Sequence, residues 1–144
     1  MVPPAGDGAS PAPIDLPTLE FLQTRLRATA QVAQAIVTDE SGHLELSVTL
    51  TPSYYPEAVE EASLTVRWYT NDDFKIHYRE VHPESSWECR WDRHPNPHNT
   101  RDHLHPPPTA PTPGDDASWA TDYRDVLRLV LDEIEERVAT LWDE

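Results

Sequence analysis

Apolar residues along the chain change spacing several times, and each change marks a predicted element. After Pro17, Leu19, Leu22, Leu26 and Ala33 recur at helical intervals, with Thr18 placed to cap the helix. Val32 to Thr38 reads as a strand, which ends the helix before it, and Asp39-Glu40-Ser41-Gly42 reads as a turn. Leu44, Leu46, Val48 and Leu50 then alternate with polar residues, the pattern of a strand with one buried face. Residues 51 to 61 form a loop, and Leu64, Val66 and Trp68 define the next strand. A turn at Asn71-Asp72 leads into Phe74, Ile76 and Tyr78, and after a connection at 81–86 the alternation resumes with Trp87, Cys89 and Trp91.

From Pro95 to Asp116 the density of proline predicts irregular chain, longer than an ordinary connection and therefore a functional loop or spacer. Ser118 is the expected cap of a final helix whose apolar stripe is Tyr123, Leu127, Val130, Ile134, Val138 and Leu141. Short links between strands favour antiparallel pairing, because parallel strands need crossovers. The expected fold is α+β: a single domain, residues 17–144, with an antiparallel meander of about five strands packed against an N-terminal and a C-terminal helix. Residues 1–16 read as a disordered tail, and a Pro/His-rich loop occupies about 93–117.

Charge changes the picture. The 144 residues carry 26 acids against 11 lysines and arginines, a net charge of -15. A single lysine stands beside ten arginines, and the simplest reading of the balance is adaptation to concentrated salt. Such acidity excludes a generic nucleic-acid-coating role, which needs many clustered cations, but leaves room for a local phosphate site. Lone Cys89, the N-terminal composition and the lack of any apolar run near ~20 residues point to a cytoplasmic protein away from membranes.

The candidate chemistry lies between Arg90 and His105, where Arg90, Arg93 and Arg101 meet Asp92 and Asp102, and where four of the seven histidines fall. If Trp87, Cys89 and Trp91 face the core, Arg90 and Asp92 share the other face of the strand. Three readings compete. In metal-free phosphodiester cleavage, one imidazole accepts a proton, another donates one, and arginine stabilises phosphoryl charge. For RNA the attacking group is the substrate's own 2'-hydroxyl, and Trp91, Trp68 or Tyr78 would supply base contacts. In metal binding, His94, His98, His103 and His105 supply imidazoles and Asp92 or Asp102 a carboxylate, although the usual zinc signatures are missing. The third reading is a polar loop without chemistry.

The run Arg90-x-Asp92 closing a tryptophan-bearing strand, followed by Pro95, His98 and His103-x-His105, resembles the TumE family of toxin–antitoxin proteins. The resemblance spans about residues 31 to 142. It departs from the family pattern at Asn96-Pro97-His98, where two adjacent histidines are usual, and at Thr100-Arg101-Asp102-His103. It implies the toxin of a two-gene module, a cognate antitoxin as partner, and ribonuclease activity with RNA as substrate. On this reading Arg90, Asp92, His98, His103 and His105 are catalytic, and Trp91, Arg93 and Arg101 bind substrate. Metal-free chemistry is preferred, with a divalent metal as the alternative cofactor and a homodimer compatible with the reading. The competing class is a non-enzymatic metal-binding or protein-interaction module.

Overall fold

The computed structural model describes residues 12–40, 42–95 and 100–144. Two helices flank a seven-stranded sheet in the order α1 (Leu16–Arg27), β1 (Val32–Glu40), β2 (His43–Leu50), β3 (Glu61–Trp68), β4 (Phe74–Val81), β5 (Ser86–Arg93), β6 (Asp102–His105), β7 (Asp115–Asp116) and α2 (Tyr123–Trp142). Every strand pairs antiparallel with its neighbour in sequence, so the sheet is a simple meander. The predicted α+β architecture and both helices are present. No helix among the described residues is long and apolar enough to cross a membrane.

Alternation in the sequence becomes sidedness in the sheet. Leu46, Val48, Leu64, Val66, Trp68, Phe74, Ile76, Tyr78, Cys89 and Trp91 are buried on one face. They pack with Leu19, Leu22 and Leu26 of α1 and with Val126, Val130, Ile134 and Val138 of α2. Trp68 and Phe74, opposite each other across the β3–β4 hairpin, stack with ring centroids 4.8 Å apart. Truncating Trp68 to alanine here would cost about 3–5 kcal/mol through lost burial and the cavity left behind. The polar positions of β2 to β5, such as Ser47, Thr65, Lys75 and His77, lie half-buried on the other face.

Several expectations need correction. The count of about five strands becomes seven, and the stretch from Pro95 to Asp116 is not irregular throughout. It contains β6, which pairs with β5 from Arg90↔His105 to Arg93↔Asp102, and the two-residue β7. Apolar alternation could not reveal β6, because Leu104 is its single apolar residue and the side chains it buries on the opposite face are His103 and His105. The helix caps also differ. Asp15, not Thr18, caps α1, accepting from the Thr18 backbone N–H at 3.1 Å. Asp122, not Ser118, caps α2, accepting from the Arg124 N–H at 2.8 Å. Ala33, counted with the first helix, lies in β1. Upstream of α1, Ile14 bridges to Tyr69, and the Pro13 carbonyl accepts from the Thr70 N–H at 2.9 Å.

A candidate nucleic-acid and metal-binding site on the open sheet face

Strand register builds two rungs of polar side chains across the face that the helices leave uncovered. Ser47, Thr65, His77, Arg90 and His105 are successive partners in the first rung. Arg67, Lys75, Asp92, His103 and Asp116 are successive partners in the second. Side chains two residues apart on a strand share a face, so both rungs point the same way. At β3 to β5 they line a cleft of about 330 Å³ bounded by Glu45, Thr65, Arg67, Lys75, His77 and Arg90. Two carboxylates partly balance its cations. Glu45 accepts from Arg67 Nε at 3.0 Å, and Glu88 lies 2.8 Å from His77 Nε2.

Toward β6 the same face becomes a buried cluster centred on Asp92, which is fully buried. Its Oδ2 accepts from Arg90 Nε at 3.0 Å and lies 3.2 Å from the Nε2 atoms of His94 and His105. His103 Nε2 is 3.6 Å away. Arg90 also places Nη2 2.9 Å from His105 Nε2. Burial by itself raises the pKa of the Asp92 carboxyl. Contacts with His103, His105 and His94 and the charge of Arg90 outweigh burial and hold it well below the usual carboxylate range. Burial likewise disfavours a charged His103, but the bond to Asp92 and its negative charge win and raise the His103 pKa.

The return from β6 to β7 completes the enclosure. Pro111 offers its carbonyl to His105 Nδ1 at 2.9 Å. Gly114, at φ +85°, passes so close that a Cβ there would collide with the Leu104 carbonyl oxygen and stand 3.1 Å from His105 Nδ1.

The structure thus gathers four sequence candidates, Arg90, Asp92, His103 and His105, and adds His94 to them. His98 lies outside the described residues. Arg93 faces the helix side: it bonds Asp102 at 2.7 Å and the Ala120 carbonyl at 2.7 Å, and lies over the Phe74 ring. Arg101, half-exposed, pairs with buried Asp73. Trp91 is buried on the helix face, with its indole N–H donating to Glu133 at 2.6 Å, and Trp68 and Tyr78 are buried there too. None of the three aromatic rings reaches the cleft. Sequence reasoning missed Arg67, Lys75 and His77. Their signal was parity, since each sits at a polar position of an alternating strand in phase with Arg90 or Asp92.

Comparison with known families decides the kinship. Residues 19–138 match the family described as Toxin TumE. The chain belongs to the TumE toxin family. Neither the curated proteins nor the solved structures offer a match. The TumE match runs from the first buried leucine of α1 to the last buried valine of α2, so it takes in the cleft and the Asp92 cluster. Membership in a toxin family implies a cognate antitoxin as partner.

Proposed function

We propose that this TumE-family chain is the toxin of a toxin–antitoxin pair and acts in the cytoplasm by cleaving RNA on its open sheet face. One observation carries the reading. A chain of net charge -15 brings Arg67, Lys75, His77 and Arg90 to one cleft, beside a cluster that anchors Arg90. Anionic backbone is the ligand such a cleft attracts, and contacts to phosphate give position without sequence preference. With Trp68, Tyr78 and Trp91 in the core, base stacking contributes little, which predicts weak sequence selectivity.

The reaction that fits is transesterification by the RNA's own 2'-hydroxyl. Its oxygen attacks the adjacent phosphorus as a base removes its proton. The bond to the 5'-oxygen breaks as an acid supplies a proton to that leaving group. Arg90 donates to the non-bridging oxygens as charge builds on them. Its position is set by Asp92 and His105, and its side chain keeps 22% exposure. His77 is the imidazole that lines the cleft, one-third exposed and oriented by Glu88, whereas the side chains of His94, His103 and His105 are 1–3% exposed. His77 is therefore the proton carrier in this reading, with its register partner Arg90 as the electrostatic group.

The test is expression in a host without the antitoxin. Growth arrest with decay of cellular RNA is expected for the natural chain, and both are expected to disappear in Arg90→Gln. Growth arrest with intact RNA would overturn the RNA reading and leave a toxin with another target.

A further inference from the structure

Around Asp92 the described side chains turn acceptor atoms toward one another. Each of its three imidazoles turns Nδ1 to a backbone carbonyl: His94 to Pro95 at 3.0 Å, His103 to Arg101 at 3.1 Å and His105 to Pro111 at 2.9 Å. A carbonyl only accepts, so Nδ1 carries the hydrogen in each ring and Nε2 of a neutral ring presents a lone pair. All three Nε2 atoms face the Asp92 carboxylate, which also only accepts. A hydrogen on every Nε2 would gather three imidazolium charges and the Arg90 guanidinium around one buried carboxylate. Asp92 Oδ1 adds a second anomaly: it is buried and has no hydrogen-bond partner among the described residues. An orphaned buried carboxylate oxygen is costly and calls for an occupant.

A divalent cation would resolve the convergence at Oδ2, and a carboxylate chelating it through both oxygens would give Oδ1 a partner as well. Imidazoles whose Nδ1–H is fixed by a carbonyl and whose Nε2 converges with a carboxylate are the usual inner and outer shells of a metal centre. The ligand atoms of Asp92, His103 and His105 lie within 4.8 Å of one another. The Nε2–Oδ2 separations are 3.2 to 3.6 Å. A tetrahedral ion with bonds of about 2.0–2.1 Å needs ligands about 3.3–3.4 Å apart. We infer that Asp92, His103 and His105 bind one divalent first-row transition ion of the zinc class, with His94 adjoining as a further imidazole. Two or three imidazoles with one carboxylate suit zinc and its neighbours, and not magnesium or calcium, which take oxygen ligands.

The site also connects to the cleft. Arg90 Nη2 now donates toward His105 Nε2, the same lone pair that an ion would take. With the ion bound, that hydrogen turns to the cleft, where Arg90 already lines the wall. The metal inference itself stands on the cluster alone and holds whether or not the substrate is RNA.

The experiment is calorimetric titration of chelator-stripped full-length protein with Zn²⁺, with elemental analysis after dialysis and the visible spectrum of the Co²⁺ form. One ion per chain, a raised Tm and the absorption of four-coordinate Co²⁺ are expected. Asp92→Asn and His103→Gln should lose the ion, whereas His43→Ala, at an exposed position, should keep it. Should the two cluster variants fail to fold, stoichiometry and Co²⁺ spectrum of the unaltered chain still decide. Absence of saturable Zn²⁺ binding, stabilisation by Mg²⁺ instead, or undiminished binding in folded His103→Gln would overturn the inference. RNA cleavage is not read in this experiment, so its outcome is separate from that of the proposed activity.

Discussion

Lys75 gives the sharpest physical test of the cleft. It is half-buried on the open sheet face, opposite Arg67 on one side and Asp92 on the other. Lys75→Gln removes one charge at a strand position that packs no core, so stability should change by no more than about 0.5 kcal/mol. Three permanent cations, Arg67, Lys75 and Arg90, line the cleft. If each neutralises one phosphate of single-stranded RNA, log K should fall against log salt with a slope of about -2, at roughly -0.7 per phosphate. The variant should show about -1.4. Over a tenfold rise in salt the natural chain then loses about 100-fold in affinity and the variant about 25-fold. The remaining carboxylates repel RNA and oppose this slope at low salt, but above ~0.1 M the Debye length falls below ~10 Å and distant charges drop out. The difference between the two slopes is therefore the reliable quantity. Fluorescence anisotropy of a labelled single-stranded RNA across a potassium chloride series measures it. Arg124→Gln, at the exposed start of α2, is the control and should leave the slope unchanged. Equal slopes for Lys75→Gln and the natural chain, or the same change in the control, would refute the cleft as the RNA path. Glu45→Gln should tighten binding by releasing Arg67 from its 3.0 Å ion pair.

Three further outcomes concern the frame behind the site. Arg137→Met should cost about 3–5 kcal/mol in urea unfolding, because it strips the two-point contact, 2.9 and 3.0 Å, from the fully buried Glu80 carboxylate. Glu133 is half-buried, and desolvation raises its pKa despite the bond from Trp91. A raised carboxyl pKa means that the folded state binds the proton more tightly, so a destabilising contribution appears as pH rises from the unfolded pKa through the folded one. Glu133→Gln should therefore be stabilising by less than about 1 kcal/mol at neutral pH, and the gain should vanish in acid, as paired urea melts at the two pH values would show. Burial and the nearby Glu133 charge push the Cys89 thiol up to about 12, so thiol reagents should label it only after unfolding; rapid labelling of native protein at neutral pH would contradict that packing.

How much of this was written in the sequence depends on what each element buries. Strands β2 to β5 announce themselves because their inner residues are apolar and their outer ones polar, so period-two spacing is visible. The stripe Leu127, Val130, Ile134 and Val138 does the same for α2. β6 hides because Leu104 is its single apolar residue and the side chains it buries on the other face are His103 and His105, so a four-residue strand carries no hydropathic alternation. The candidate residues Arg90, Asp92, His103 and His105 could be found from chain proximity, since all lie within one strand hairpin. Arg67, Lys75 and His77 could not, because only the register of β3, β4 and β5 carries them to the same cleft. Burial of the histidine cluster was equally hidden. A proline-rich, histidine-rich segment reads as exposed, yet here Asp92 and the Pro111 carbonyl draw the imidazoles inside.

The most direct measurement of the central claim is cleavage of total RNA by the purified, folded chain across a potassium chloride series, alongside Arg90→Gln and His77→Ala. Cleavage is expected from the natural chain and is expected to be lost in Arg90→Gln and strongly reduced in His77→Ala, with both variants still folded. Intact RNA after incubation with folded natural protein, or undiminished cleavage by folded Arg90→Gln, would contradict the assignment of RNA cleavage to this cleft.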